Sequence, residues 1–309
     1  MQIICDTTEF ELQTQTAVAI GKFDGLHRGH MTLLSCILEQ KKQGLSAVVF
    51  TFYPSASAFF GNKEEKELTT RDEKRKLFEA MGIDILIEFP LNTTTAAISP
   101  EDFISRILCG QMHTKFIAAG TDLSFGAKGR GNCFILEKFA VELGFQVQII
   151  DKVIYEGREI SSSYVREVVE NGDMGIASEL LGRHYSFEGT VESGRKLGRR
   201  LGMPTLNQYP RPEKLLPPRG VYYSQVLFEG GTYIGITNIG LKPTVNDTPS
   251  ISVETYLYDF DRDMYGKEIV TELLQFKRQE QKFATIQELK AQMERDIEEG
   301  RLFHACNVS

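Results

Sequence analysis

The sequence predicts an α/β domain followed by a predominantly β domain, and three observations carry that prediction. The 309 residues exceed what one hydrophobic core comfortably serves. From Thr16 to about Gly182, short apolar runs alternate with segments of helical period. Beyond Gly182 come strand-like runs divided by glycine and proline, and only near the end does a helix return. The expected domains are residues 1–183 and 184–309.

In the first domain "TAVAIG" is a short apolar strand, and Leu33, Leu34, Ile37 and Leu38 then form one face of a helix. "SAVVFTF" is again strand-like. "RDEKRKLFEAMG" reads as helix and "DILIEF" as strand. "SPEDFISRILCGQM" opens a helix with Ser99 as N-cap and Pro100 at its first position. "KFIAAG" and "FQVQII" are further strands, with the helical "CFILEKFAVELG" between them. Such alternation predicts a parallel sheet covered by helices on both faces, with ligands bound beyond the carboxyl ends of the strands.

In the second domain "YSFEGTVESG", "GVYYSQVLFEGGTYIGITNIG" and "ISVETYLYDFD" are strand-like. "FEGGTY" reads as a hairpin loop joining Tyr222–Phe228 to Thr232–Asn238. The last helix, "TIQELKAQMERDIEEG", opens on a Thr285/Glu288 capping box and carries Ile286, Leu289, Met293 and Ile297 along one side. The expectation is an antiparallel barrel or sandwich closed by a terminal helix.

A formal charge of −7 argues against a nucleic-acid or membrane-surface protein. No stretch approaches the ~18 apolar residues that span a bilayer, and the N-terminus shows no signal-peptide pattern. The five cysteines, odd in number and without a CxxC pair, suit reduced thiols in the cytoplasm. Cys109 and His113 have a ligand-like spacing but lack the partners that structural zinc needs. No obligate protein partner is evident.

The stretch "GKFDGLHRGH", residues 21–30, lies where the first strand of this series runs into its helix. A helix N-terminus offers free N–H groups to phosphate, and glycines let a ligand approach the backbone. Imidazoles can donate hydrogen bonds to phosphoryl oxygens as charge shifts during attack at phosphorus. These features point to nucleotide binding. Asp24, in the same stretch, has the alternative of stabilising its own turn.

His27-Arg28-Gly29-His30 resembles the HxGH signature of nucleotidyltransferases, and the longer stretch resembles the G-x-F-D-G-x-H-x-G-H of bacterial FAD synthetases. "LTTRDEK", "AAGTDLSFGAKGRGN" and "ISSSYVRE" match that family in order. "LLGRHYSFEGTV" resembles its junction to a riboflavin kinase module, followed by "GRRLGMPTLN", "RGVYY", "NIGLKPTV", "VETYLYDFDRDMYGKEI" and "FKRQEQKF". The resemblance runs from about residue 16 to 300. It implies a Rossmann-like nucleotidyltransferase domain, then a β-barrel riboflavin kinase domain. Riboflavin, FMN and ATP would be substrates, Mg²⁺ the cofactor, and FAD the product.

For adenylyl transfer, in which positioning and charge neutralisation dominate, the resemblance implies His27 and His30 as catalytic. It gives Gly21, Phe23, Gly29, Ser162, Ser163 and Arg166 to ATP and its phosphates, and Asp122 and Phe125 to flavin. For the kinase step the riboflavin hydroxyl must lose a proton, so a carboxylate in reach is useful, and Glu254 matches the family's general base. Gly194, Lys196, Gly198 and Arg199 lie in a basic, glycine-rich loop suited to phosphates. Thr205 and Asn207 offer oxygen ligands to Mg²⁺, and Arg278 is expected at the flavin. The family usually has threonine where Ser163 stands, phenylalanine where Leu123 stands, alanine where Leu206 stands, and a histidine–proline pair near "FYPSAS".

Two other readings compete: a riboflavin kinase with a weak or inactive adenylyltransferase domain, and a non-catalytic regulator that binds flavin or nucleotide. The regulator would have no use for His27, His30 and Glu254, all of which are present.

Overall fold

The protein is described from a computed structural model that covers residues 1–61, 66–193, 198, 201–242 and 250–307. It divides into two compact units, Met1–Ser162 and Ser163–Ser309.

The first unit is built on a six-stranded, wholly parallel sheet of β1 (Gln2–Cys5), β2 (Thr16–Ile20), β3 (Ser46–Tyr53), β4 (Ile85–Pro90), β5 (Thr114–Gly120) and β6 (Gln146–Ile150), in the order β1-β4-β3-β2-β5-β6. The helices are α1 (Arg28–Glu39), the short α2 (Ala56–Phe60), α3 (Arg71–Ala80), α4 (Pro100–Asp102) and α5 (Cys133–Leu143), and a small antiparallel pair, β7 (Ile154–Tyr155) and β8 (Arg158–Glu159), follows β6. Successive side chains of β2 point to opposite faces, so Val18 and Ile20 enter one core while Ala17 and Ala19 enter another. Leu33, Leu34 and Ile37 of α1 are buried in the second of these, as their spacing predicts. Ser99 caps α4, its hydroxyl accepting from the Asp102 N–H at 3.0 Å.

Two features differ from expectation. The edge strand β1 is only four residues long, with Gln2 and Ile3 exposed, and carries no periodic signal. The helix after Pro100 runs on through Phe103–Gln111 with π-type rather than α-type bonding.

The direction of winding reverses between β2 and β5, neighbours in space but not in sequence. In open α/β sheets the crevice beyond such a reversal receives the ligand. The two loops that leave β2 and β5 are "GKFDGLHRGH" and "TDLSFGAKG".

The second unit opens with α6 (Ser162–Asn171, whose first residue closes the first unit) and α7 (Met174–Leu181). The division therefore falls earlier than the expected boundary after residue 183, because α7 packs on β9 (Tyr185–Glu192) and β14 (Glu268–Gln279). With β10 (Leu206–Gln208), β11 (Gly220–Phe228), β12 (Gly231–Lys242) and β13 (Ser250–Leu257) these strands close an antiparallel barrel, β10-β13-β12-β11-β14-β9. The predicted hairpin is present: Phe228 pairs with Gly231, and Glu229 and Gly230 both take positive φ, as a tight two-residue turn requires.

The terminal helix α8 (Ile286–Asn307) lies against the outer barrel face. The Thr285 hydroxyl accepts from the Glu288 N–H at 3.2 Å, while the Glu288 carboxylate accepts from Ala284 N–H rather than closing a reciprocal box. Of its predicted apolar face, Leu289, Met293 and Ile297 turn inward and Ile286 is exposed. Among the described residues no helix is long and apolar enough to cross a membrane, and all five cysteines are free.

Candidate functional sites

In the first unit a cavity of about 370 Å³ opens beyond β2 and β5. Gly21, His27, Gly29, His30, Asp122 and Ser162 line it together. His27 is the N-cap of α1; its Nδ1 accepts from the His30 backbone N–H, which leaves Nε2 to carry the ring proton. A Cβ on Gly29 would stand 3.2 Å from the His27 ring, so glycine is what lets the imidazole fold over the helix start. Ser162, at the start of α6, donates to the Asp24 carbonyl at 2.9 Å.

Asp24 is buried and does more than hold its own turn. Its carboxylate accepts from the backbone N–H groups of Leu68 and Thr69, at 2.9 and 3.3 Å, tying the histidine loop to the "LTTRDEK" segment. Phe23 is placed differently from the expectation that it touches nucleotide. It is fully buried, packed on Phe78 and on the His30 ring, because the chain turns left-handed there and drives the side chain into the core. Asp122 is exposed and paired with Lys152 at 3.3 Å; Lys152 also donates to Glu159, and these carboxylates hold its ammonium above the usual lysine range. Ser163 is exposed and Arg166 half-buried on α6.

Phe125 lines a second cavity, of about 410 Å³, with Phe52, Phe60, Phe89 and Phe103. Ser124 lines both spaces. The "FYPSAS" departure borders this one: Ser55 caps α2, and Ala56 is in the wall.

In the second unit a cavity of about 340 Å³ lies between the barrel's outer face and α8. Gly198, Thr205, Glu254 and Arg278 line it, with Leu289, Met293 and Ile297 from the helix. Glu254 stands directly opposite Asn207 on β10 and Asn238 on β12, so three polar side chains cross three strands in one row. Asn207 is buried, its amide donating to the Thr205 carbonyl at 3.3 Å. Leu206, one residue away, points the other way into the cluster of Val191, Val226 and Phe228, which accommodates its bulk. Arg278 is gripped by the buried Asp296 of α8 through Nε, at 3.1 and 3.2 Å. Gly194, Lys196 and Arg199 lie outside the described residues.

The sequence reading missed Asn238, Asp296 and the phenylalanine cavity. Asn238 had a signal, the alternation of "ITNIG" placing it on the Glu254 face. Asp296 and the phenylalanines come together only through tertiary packing.

A histidine pair at a switch-point turn in one unit, and a barrel cavity with a carboxylate and amide oxygens in the other, mark a two-site enzyme of phosphate chemistry. The FAD synthetase family model matches residues 9–164 and the riboflavin kinase model residues 181–304. Proteins named bifunctional riboflavin kinase/FMN adenylyltransferase are similar along the whole length. That of Listeria monocytogenes is 35% identical, covering 97% of this chain and 96% of its own. Those of Bacillus subtilis and Escherichia coli K12 are 34% and 35% identical, each covering 94% of this chain and 93% of its own. A crystal structure described as a macrolide-efflux protein from Streptococcus pneumoniae superposes with a TM-score of 0.87 over 99% of each chain at 25% identity; efflux is said of that protein alone. The chain belongs to the family of bifunctional riboflavin kinase/FMN adenylyltransferases.

Proposed function

We propose that the family's two reactions are divided between the cavities, riboflavin phosphorylation at the barrel and adenylyl transfer beside His27 and His30. What supports this is that each unit holds its own cavity with the matching reactive residues on its wall.

In the barrel cavity Glu254 takes the proton of the ribityl 5′-hydroxyl as that oxygen bonds to the γ-phosphorus of ATP, and the bond from that phosphorus to the β,γ-bridging oxygen breaks to release ADP. The apolar α8 face and Phe283 cover the flavin ring, with Arg278 oriented by Asp296 at its edge. The oxygens of Thr205 and Asn207 suit a hard cation. Among the described residues there is no group of three or more His, Cys, Asp or Glu able to hold a metal, so Mg²⁺ would be held by Thr205 and Asn207 together with the nucleotide's own phosphates. When bound it neutralises phosphate charge.

In the first unit the FMN ring occupies the phenylalanine cavity and ATP the adjoining one. Gly21, Gly29 and Ser162 serve the triphosphate, while His27 and His30 donate to the α-phosphoryl oxygens as pyrophosphate leaves. Asp122 lies toward the flavin side, through Ser124. The same reading makes this a cytoplasmic enzyme of small-molecule substrates, without nucleic acid, membrane or obligate protein partner.

The test is to incubate the protein with riboflavin, ATP and Mg²⁺ and separate the flavins. FMN followed by FAD is expected. FMN alone would select the kinase-only reading, and unchanged riboflavin would select the regulator.

A further inference from the structure

Lys22 stands where two spaces meet. It lines the His27/His30 cavity, and it also lines a narrow cleft beside Phe52, Tyr53 and Arg71. Its ammonium donates to the Ser57 hydroxyl at 2.9 Å. Ser57 belongs to α2, whose Ala56 and Phe60 form part of the phenylalanine cavity. One exposed lysine thus reaches from the cavity of the reactive histidines to the helix that walls the aromatic one.

We propose that Lys22 binds the terminal phosphate of FMN and holds it toward the α-phosphorus of ATP. This rests on the assignment of adenylyl transfer to this cavity and adds a residue that the motifs leave without a role. With the flavin ring among the phenylalanines and ATP beside the histidines, the ribityl phosphate has to cross the junction that Lys22 spans. An FMN phosphate oxygen attacks the α-phosphorus and forms the new P–O bond. The bond from that phosphorus to the oxygen bridging to the β-phosphate breaks, and its electron pair leaves with pyrophosphate. Lys22 stays protonated throughout. Its ammonium offsets the repulsion between two polyanions that must come into bonding distance. It also makes the site selective, since riboflavin has no phosphate to offer it.

The test uses the full-length protein and measures FAD formation from FMN and ATP with Mg²⁺ in wild type, Lys22→Met, Lys22→Arg and Ser57→Ala. Lys22→Met should lower kcat/KM for FMN by about 10- to 100-fold, the scale of one charge-assisted hydrogen bond, mainly through KM for FMN. KM for ATP and the rate of riboflavin phosphorylation should stay within about twofold, Lys22→Arg should recover most of the loss, and Ser57→Ala should resemble wild type. Unchanged FMN kinetics in Lys22→Met would overturn the proposal. So would a rise confined to KM for ATP, which gives the ammonium to the nucleotide, or an equal loss in Ser57→Ala, which makes Lys22 a strut. A wild-type protein that makes no FAD would overturn the assignment of the cavity and this inference with it.

Discussion

His27 and His30 lie ring on ring, 3.7 Å between centroids and 20° between planes. Backbone geometry makes the stack: one ring caps the helix whose first turn carries the other. The cap uses the backbone N–H of residue 30, not its side chain, so His30→Ala removes an imidazole and leaves the turn in place.

His30→Ala should therefore cut FAD formation by about 10²–10³-fold, the usual cost of a lost donor to a developing charge. FMN should accumulate from riboflavin, because the riboflavin kinase model matches residues 181–304, in the other unit. Chromatography of the flavins checks both, and an unchanged FAD rate would remove His30 from the chemistry.

A second prediction concerns stability. Glu88 of β4 is buried and accepts from Arg71 at 2.7 and 3.0 Å and from Arg75 Nε at 3.1 Å. Burial pushes its pKa up, but hydrogen bonds and charge from the two guanidinium groups outweigh that and hold it below 4.5. A depressed carboxylate contributes stability that is present above its unfolded pKa and is lost as pH falls through the folded one. Glu88→Gln takes the carboxylate from Arg71 and leaves Arg75 only Asp72, at 4.0 Å, at a cost of about 2–3 kcal/mol; this is under the ~3–5 of a fully buried pair, since both arginines keep some solvent contact. Denaturant melts at pH 7 should show the loss. At pH below about 4 the gap between variant and wild type should narrow.

These partners show what a single sequence can and cannot disclose. The parallel strands were legible because burial on both faces leaves continuous apolar runs such as "TAVAI" and "AVVF". The histidine turn was legible because its spacing is local. Glu88 with Arg71, and Arg278 with Asp296, meet only when strand and helix pack, and no spacing rule joins them. Phe23 misled because its motif position is next to the site, while its backbone turns the ring into the core.

The third prediction separates the two sites. Glu254→Gln keeps the size and the row with Asn207 and Asn238 but removes the carboxylate, the only form able to accept a proton. Riboflavin phosphorylation should fall by about 10²–10⁴-fold with little change in KM. Supplied FMN should still become FAD. Near-normal phosphorylation would make Glu254 a bystander, and joint loss of both activities would mean that the sites are coupled.

The last prediction turns on Tyr258 and Gly300. A Cβ on Gly300 of α8 would lie 2.1 Å from the Tyr258 hydroxyl, far inside contact distance. In an isolated helix Gly→Ala stabilises by about 1 kcal/mol. Here the clash should reverse the sign, because Tyr258 is buried against the His304 ring and the Arg301 guanidinium, and overpacking costs about 1–3 kcal/mol. The Tyr258 hydroxyl has no hydrogen-bond partner among the described residues, and burial pushes its pKa well up. Tyr258→Phe should accordingly be neutral or stabilising. It should also relieve Gly300→Ala, so that the double variant melts above the single Gly300→Ala variant. Thermal melts of the four proteins form a double-mutant cycle. If the Gly300→Ala loss is the same with phenylalanine at 258, the hydroxyl is not what requires glycine in the helix.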